Sequence, residues 1–80
     1  MALQIEEHDL TNNTAHAVEL VYTPLNPAEV AVDPFGGPAQ VYGVDFLITG
    51  KTLDFSLDSS DIKAIVDQGT SVVIRVLYER

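Results

Sequence analysis

The side chains that could form a nucleophile set are four serines and two histidines. Acyl-transfer chemistry needs a serine hydroxyl within hydrogen-bonding reach of a base, and hydrolases often hold that serine in a Gly-x-Ser-x-Gly turn. None of the serines has that context, and His8 and His16 stand near the amino terminus among polar residues. We therefore expect both histidines to be exposed to solvent and to take no part in catalysis.

Three aspartates near a turn, Asp54, Asp58 and Asp61, could offer oxygen ligands to calcium. Their spacing does not match the twelve-residue calcium loop. Asp61 is better explained as a favourable charge in the first turn of a helix, and Asp54 as an outward residue of a strand. We expect no metal site at this cluster.

Glu6 and Glu7, together with Glu79, could supply the two carboxyl groups that hydrolyse a glycosidic bond. Nothing in the sequence brings them together. The pair Gly36-Gly37 precedes a proline and does not open a helix, so it lacks the context of a phosphate-binding loop. The sequence predicts a protein that is not an enzyme and uses no cofactor.

The length and composition indicate one globular domain over residues 1–80, since 46% of the residues are apolar and 20% are charged. A domain this small buries only about 60–65% of the surface that it exposes when unfolded. Disulfides and thiolate metal sites are excluded because there is no cysteine. We therefore expect stability to be supplemented by partner subunits, in a homo-oligomer or in a complex with other proteins.

The charge balance is 12 acidic against 4 basic residues, a net charge of −8. The four cations are scattered along the chain: Lys51, Lys63, Arg75 and Arg80. Nucleic acids and anionic membranes attract clustered Lys and Arg, so we expect neither as a partner. The acidic excess serves solubility or complements a basic partner surface. The first residues do not have the pattern of a signal peptide, and no run approaches 18 apolar residues.

Alternation of apolar and polar residues dominates the chain and predicts half-buried β-strands. In the last strand one face would hold Val72, Ile74, Val76 and Tyr78, and the other would hold Val73, Arg75, Leu77 and Glu79. Two shorter strands are indicated by Leu3 and Ile5 alternating with Gln4 and Glu6, and by Val18, Leu20 and Tyr22. Four prolines between Pro24 and Pro38 limit a strand at 30–32 to the edge of a sheet.

A hairpin and one short helix complete the expected elements. The Gly50-Lys51 turn pairs Thr49 with Thr52, Ile48 with Leu53, Phe46 with Phe55 and Val44 with Leu57, and sets Leu47 against Asp54 and Asp45 against Ser56 on the other face. The helix would begin after a Ser59 or Ser60 cap, bury Ile62, Ile65 and Val66, and end at Gly69. The predicted fold class is all-β: an antiparallel β-sandwich of about six or seven strands with one short helical segment.

The segment Gly36-Gly-Pro-Ala-Gln-Val-Tyr-Gly-Val-Asp-Phe46, followed by Ile48-Thr-Gly50, resembles a small β-domain of tailed-bacteriophage structural proteins. The resemblance covers residues 10–79. The chain departs from that pattern at Ile62-Lys-Ala-Ile-Val66, where a leucine-rich stretch is usual, and at Gln68-Gly69, where Gly-Asp is more usual. The resemblance implies a virion component, made in the host cytoplasm, and carries over no catalytic residue.

In larger proteins the domain is a module of fibres and other particle proteins, whereas a chain of this size resembles a capsid decoration, or cement, protein. The resemblance then implies the major capsid protein or other virion proteins as partners, with a homotrimer favoured. The alternative is a tail, baseplate or fibre module, which could contact host-surface glycans through exposed aromatic residues. We predict interface positions at Phe35, which nothing local buries, at Tyr42, and at Val73 and Leu77, the apolar residues on the second face of the last strand.

Overall fold

The structure is a computed structural model that describes residues 2–34 and 39–80. In these residues, strands account for most of the regular structure. The elements in chain order are β1 (Leu3–Asp9), β2 (Ala17–Glu19), a 3-10 helix (Pro27–Glu29), β3 (Ala31–Pro34), β4 (Leu47–Thr49), β5 (Thr52–Asp54), α1 (Asp61–Asp67) and β6 (Val73–Glu79). The β-rich prediction is confirmed, and the helix is the single short segment expected near residue 61.

The six strands of the described residues form two antiparallel three-stranded sheets, ordered β1-β6-β3 and β2-β5-β4. β6 is the central strand of the first sheet, and its register with β1 runs from Leu3 opposite Glu79 to Asp9 opposite Val73. β3 lies at the edge and ends at Pro34. The proline-rich segment therefore supplies an edge strand, as its missing N–H donors require.

The hairpin register is confirmed where the turn controls it. Thr49 pairs with Thr52, Ile48 with Leu53 and Leu47 with Asp54. The ladder ends there, so the pairs expected farther from the turn lie outside β4 and β5, although Phe46 and Phe55 are both fully buried.

The expectation that Asp45 faces outward is wrong. The N–H groups of Val44 and Asp45 both donate to the carbonyl of Val41, which closes a tight turn in place of the extended strand. The buried Asp45 carboxylate accepts from the N–H of Val41 at 2.9 Å and from that of Asp61 at 3.1 Å. A carboxylate with backbone donors on both oxygens is stable inside the protein, so Asp45 ties this turn to the start of α1.

The helix α1 is formed by the predicted residues. The Ser60 side chain accepts from the N–H of Lys63 at 3.2 Å and caps the first turn. Ile62 and Val66 are buried, and Gly69 has φ +77°, the left-handed conformation that ends a helix.

The core is one cluster with buried residues from both sheets and from α1. Its members are Leu10, Leu20, Val30, Val32, Phe46, Ile48, Leu53, Phe55, Ile62, Val66, Val72, Ile74, Val76 and Tyr78. The alternation predicted for the last strand is confirmed, because Val72, Ile74, Val76 and Tyr78 all belong to this cluster. The helices in residues 2–34 and 39–80 fall short of the length and apolarity needed to cross a bilayer.

Candidate interaction surface

The strand β1 presents its apolar side chains outward together with Glu7 and Asp9, and turns the acidic side chain of Glu6 inward. Leu3 and Ile5 are 58% and 56% exposed, whereas Glu6 is 8% exposed. The sequence predicted this strand correctly, but alternation alone does not say which set of side chains meets the core. A buried carboxylate is costly without partners, so the orientation depends on what surrounds Glu6.

The Glu6 carboxylate lies in a network of hydrogen bonds that joins β1, β6 and the end of the β2 segment. The Tyr78 hydroxyl and the N–H of Val21 both donate to it, the latter at 3.1 Å, and His8 Nε2 lies 2.8 Å from Oε1. The Tyr78 oxygen in turn accepts from the N–H of Tyr22 at 3.0 Å. These contacts satisfy the carboxylate and explain why β1 turns Glu6 inward.

The network shifts the pKa values of two of its members. Burial raises the pKa of Glu6, but the hydrogen bonds from Tyr78, His8 and Val21 outweigh burial and leave that pKa below its usual value of 4.5. Burial, with the hydrogen bond to Glu6, raises the pKa of Tyr78 to about 12. Glu6 is thus held as a carboxylate and Tyr78 as a neutral phenol.

The outer face of the β1-β6-β3 sheet gathers apolar residues in adjacent rows. The register sets Ile5 beside Leu77 and Leu77 beside Ala31, and places Leu3 in the next row beside Glu79. In the row on the other side, Arg75 stands between Glu7 and Asp33. Successive side chains of a strand point to opposite faces of the sheet. All of these positions therefore share the face turned away from the core.

A groove of about 400 Å³ runs over this face. Its described lining is Leu3, Leu25, Asn26, Glu29, Ala31, Leu77, Tyr78 and Glu79. The exposed Leu25 enters it from the β3 side, where the N–H of Leu25 donates to the carbonyl of Glu79 at 2.9 Å. The lining combines aliphatic side chains with two carboxylates and contains no cation among the described residues. We call Leu3, Ile5, Leu25, Ala31 and Leu77 the outer apolar face.

Of the predicted interface residues, Leu77 lines the groove and Val73 lies on the same face of β6, opposite Asp9. Both are half-buried. Tyr42 is elsewhere: its ring meets the edge of Phe46 at a centroid distance of 5.7 Å, beside the β2-β5-β4 sheet. Phe35 lies outside the described residues. The structure therefore joins two of the four positions in one surface and separates a third from them.

Sequence reasoning missed the exposed residues Leu3, Ile5 and Leu25 as parts of this surface. Part of the indication was present in the sequence, because β6 has apolar residues on both faces. Residues of a neighbouring strand must lie beside those on the outer face. The sequence could not show that β1 is that neighbour, or that Leu25 reaches the same groove.

The expectation of exposed histidines is wrong. The His8 side chain is mostly buried against Glu6. His16 Nε2 lies 2.7 Å from Asp67 Oδ1, and the His16 ring meets the edge of Phe55 at 5.7 Å. Both imidazoles are therefore partly buried and each contacts a carboxylate, which the polar neighbours in the sequence did not reveal.

The carboxylates considered for catalysis or metal binding have separate partners. Asp54 Oδ1 accepts from the N–H of Ser56 at 2.8 Å, and Asp58 Oδ1 lies 3.9 Å from Lys63 Nζ. Glu6 points inward while Glu7 points outward. In the described part of the chain, no three His, Cys, Asp or Glu residues are placed to hold a metal ion together.

Comparisons of the chain with protein-family models, with curated proteins and with solved structures each found no match.

Proposed function

We propose that this chain is a structural protein of a bacteriophage particle, a decoration protein that binds the major capsid shell through its outer apolar face and stabilises it. The observation that carries the proposal is the groove over the outer face of the β1-β6-β3 sheet, an aliphatic surface on a chain with a net charge of −8. The resemblance of residues 10–79 to a β-domain of phage structural proteins supplies the identity of the particle.

The outer apolar face supports binding because its exposed residues are contiguous. Single exposed apolar residues are ordinary, whereas a continuous patch marks an interaction surface. Leu3, Ile5 and Leu25 are each more than half exposed. Covering the exposed part of each side chain would contribute about 1 kcal/mol or more to the binding free energy. The total stabilisation of the particle grows with the number of copies bound.

The core shared by both sheets supports the finer description of the fold as an antiparallel β-sandwich. In a sandwich the outer face of each sheet is expected to be polar. The outer face of the β1-β6-β3 sheet departs from that rule, which is the pattern expected for a face covered in an assembly. The small size of the domain favours the same conclusion, and we propose a homotrimer on the particle.

A tail, baseplate or fibre module is the second candidate. The observation that favours it is the partly exposed ring of Tyr42, outside the outer apolar face, since sugar-binding platforms use exposed aromatic rings. Binding to glycans that Tyr42→Ala abolishes would support this candidate.

The test uses particles of the phage that carries this chain, prepared without it. Wild-type protein added back should bind at a copy number in the hundreds per particle and raise the temperature at which the particles release their genome. Ile5→Lys should reduce occupancy by about tenfold or more, because it places an amine in the outer apolar face. Val44→Lys, at an exposed apolar position outside that face, is the matched control and should bind as the wild type does. A copy number of only a few per particle, or equal binding by both variants, would reject the proposal.

A further inference from the structure

The backbone of β1 has one edge that no strand of the described residues covers. At one end Ala2 and Arg80 exchange hydrogen bonds at 3.3 and 2.9 Å, and at the other the N–H of Leu10 donates to the carbonyl of Val72 at 2.8 Å. In an antiparallel pair, hydrogen-bonded and non-hydrogen-bonded residues alternate. The even-numbered residues of β1 therefore bond to β6, and the N–H and C=O groups of Leu3, Ile5, Glu7 and Asp9 point away from it. The only strand paired with β1 in residues 2–34 and 39–80 is β6.

The other sheet edges are protected in ways that β1 is not. On β3, the carbonyl of Val32 accepts from the N–H of Gln40 at 2.8 Å, and Pro34 has no N–H to offer. β2 and β4 are each three residues long. Short strands, prolines and charged side chains are the usual means of preventing unwanted strand pairing. β1 has seven residues and no proline, and its charges on the outer face are the acidic Glu7 and Asp9, so its open edge is suited to pairing with a chain that offers basic residues there.

The side chains beside this edge divide into two chemical halves. Leu3 and Ile5 are apolar and exposed, while Glu7 and Asp9 are acidic and exposed. The carboxylates of Glu29 and Glu79 line the groove on the other side of Leu3, toward β6. A strand lying along the edge would meet aliphatic side chains at one end and negative charge at the other.

We propose that the open edge of β1 accepts an extended segment of the partner protein as a fourth strand of the β1-β6-β3 sheet, with aliphatic residues opposite Leu3 and Ile5 and Lys or Arg opposite Glu7 and Asp9. This inference rests on the proposed function and specifies how the partner is held. Main-chain hydrogen bonds supply affinity in this mode of recognition, and alternate side chains supply specificity.

Charge complementarity selects a different protein over a second copy of this chain. Two antiparallel copies of β1 paired about Ile5 would set Leu3 of one copy opposite Glu7 of the other. Two parallel copies would set Glu7 and Asp9 against the same acids, which is destabilising for directly opposed charges. With −8 on each copy, self-pairing is opposed over the whole molecule as well.

A proline substitution can block the open edge, and a matched alanine substitution at the same position changes the charge by the same amount. Glu7→Pro removes an N–H that makes no hydrogen bond inside the described protein, so the fold should tolerate it at this edge. Glu7→Ala removes the same carboxylate but keeps the N–H and is the matched control. With particles that lack the chain, Glu7→Pro should bind about tenfold or more weakly than Glu7→Ala. Circular dichroism and urea unfolding establish that both variants are folded.

Hydrogen exchange of the wild-type protein gives a second measurement that does not depend on a variant. In the free protein, the amides of Ile5 and Glu7 should exchange fast and those of Gln4, Glu6 and His8 slowly. On particles, Ile5 and Glu7 should become protected by about tenfold or more.

Three results would overturn the inference, and they differ from one another. In the first, the protein binds particles, but Ile5 and Glu7 are not protected and Glu7→Pro binds as Glu7→Ala does. This result rejects the added fourth strand and leaves the proposed function standing. A concentration-dependent dimer with β1 protected in the absence of particles identifies a second copy as the occupant. The absence of any binding to particles removes the proposed function and the inference with it.

Discussion

Tyr78 donates its phenolic hydrogen to the buried carboxylate of Glu6, and this contact joins the first strand to the last across 72 positions of the sequence. The same hydroxyl accepts from the N–H of Tyr22. Since Glu6 also accepts from the N–H of Val21, the two side chains hold the segment that leaves β2 against the β1-β6 pair. They also fix the orientation of β1, with Glu6 inward and Leu3 and Ile5 outward.

Tyr78→Phe should destabilise the protein by about 1–3 kcal/mol, because it leaves the buried Glu6 carboxylate with one donor fewer and the Tyr22 N–H without its acceptor. That is a large share of the roughly 5–15 kcal/mol by which small domains are stable. Urea unfolding followed by circular dichroism measures the change.

Tyr42→Phe removes a hydroxyl from a partly exposed ring and serves as the control, with an expected change within about 0.5 kcal/mol. Equal effects of the two substitutions would mean that the Tyr78 hydroxyl does not hold the network together.

Acid should weaken the contribution of Glu6 to stability. The pKa of Glu6 in the folded protein lies below its usual value of 4.5, so the folded state favours the carboxylate. That contribution is complete above pH 4.5 and is lost as the pH falls through the lower folded value. The stability difference between the wild type and Glu6→Gln should therefore be constant at neutral pH and shrink on acidification.

Urea unfolding over a pH series checks this dependence. Glu7→Gln, which changes the charge by the same amount on the opposite face of β1, controls for the overall charge. A wild-type and Glu6→Gln pair whose difference is the same at every pH would contradict the role assigned to the Glu6 carboxylate.

The elements governed by neighbouring residues could be predicted from the sequence. The Gly50-Lys51 turn fixes three pairs of the hairpin, and Ser60 and Gly69 mark the two ends of α1. The alternation of β6 gives its buried face. Each of these signals depends on residues a few positions apart, where backbone geometry determines which groups meet.

The features that the sequence did not reveal depend on distant residues. Alternation in β1 separates Leu3 and Ile5 from Glu6, but only the contact with Tyr78 decides which set is buried. Asp45 is buried because Val41 and Asp61 both donate to it, the second from 16 positions away. For the candidate surface the same limit applies: Leu77 could be predicted from β6 alone, whereas Leu25 reaches the groove through tertiary structure.

Because β1 turns its apolar side chains outward, the same substitution should lower the free energy of unfolding by different amounts on β1 and on β6. Ile74 is fully buried, and Ile74→Val should cost about 0.5–1.5 kcal/mol through loss of one buried methylene group. Ile5→Val removes the same group from a side chain that is more than half exposed, and the expected change is within about 0.5 kcal/mol. Thermal unfolding of both variants makes the comparison, and a larger cost at Ile5 would mean that β1 faces the other way.

The hairpin turn predicts a backbone effect that is separable from packing. Gly50 has φ +60°, and a Cβ built there would meet nothing within 4 Å. Gly50→Ala should therefore destabilise the protein by about 1–2 kcal/mol through the left-handed backbone alone. Gly50→Asn should recover part of that loss, because asparagine tolerates this conformation better than alanine does. Urea unfolding of the two variants tests the order, and an alanine variant as stable as the wild type would show that the turn can adopt another conformation without cost.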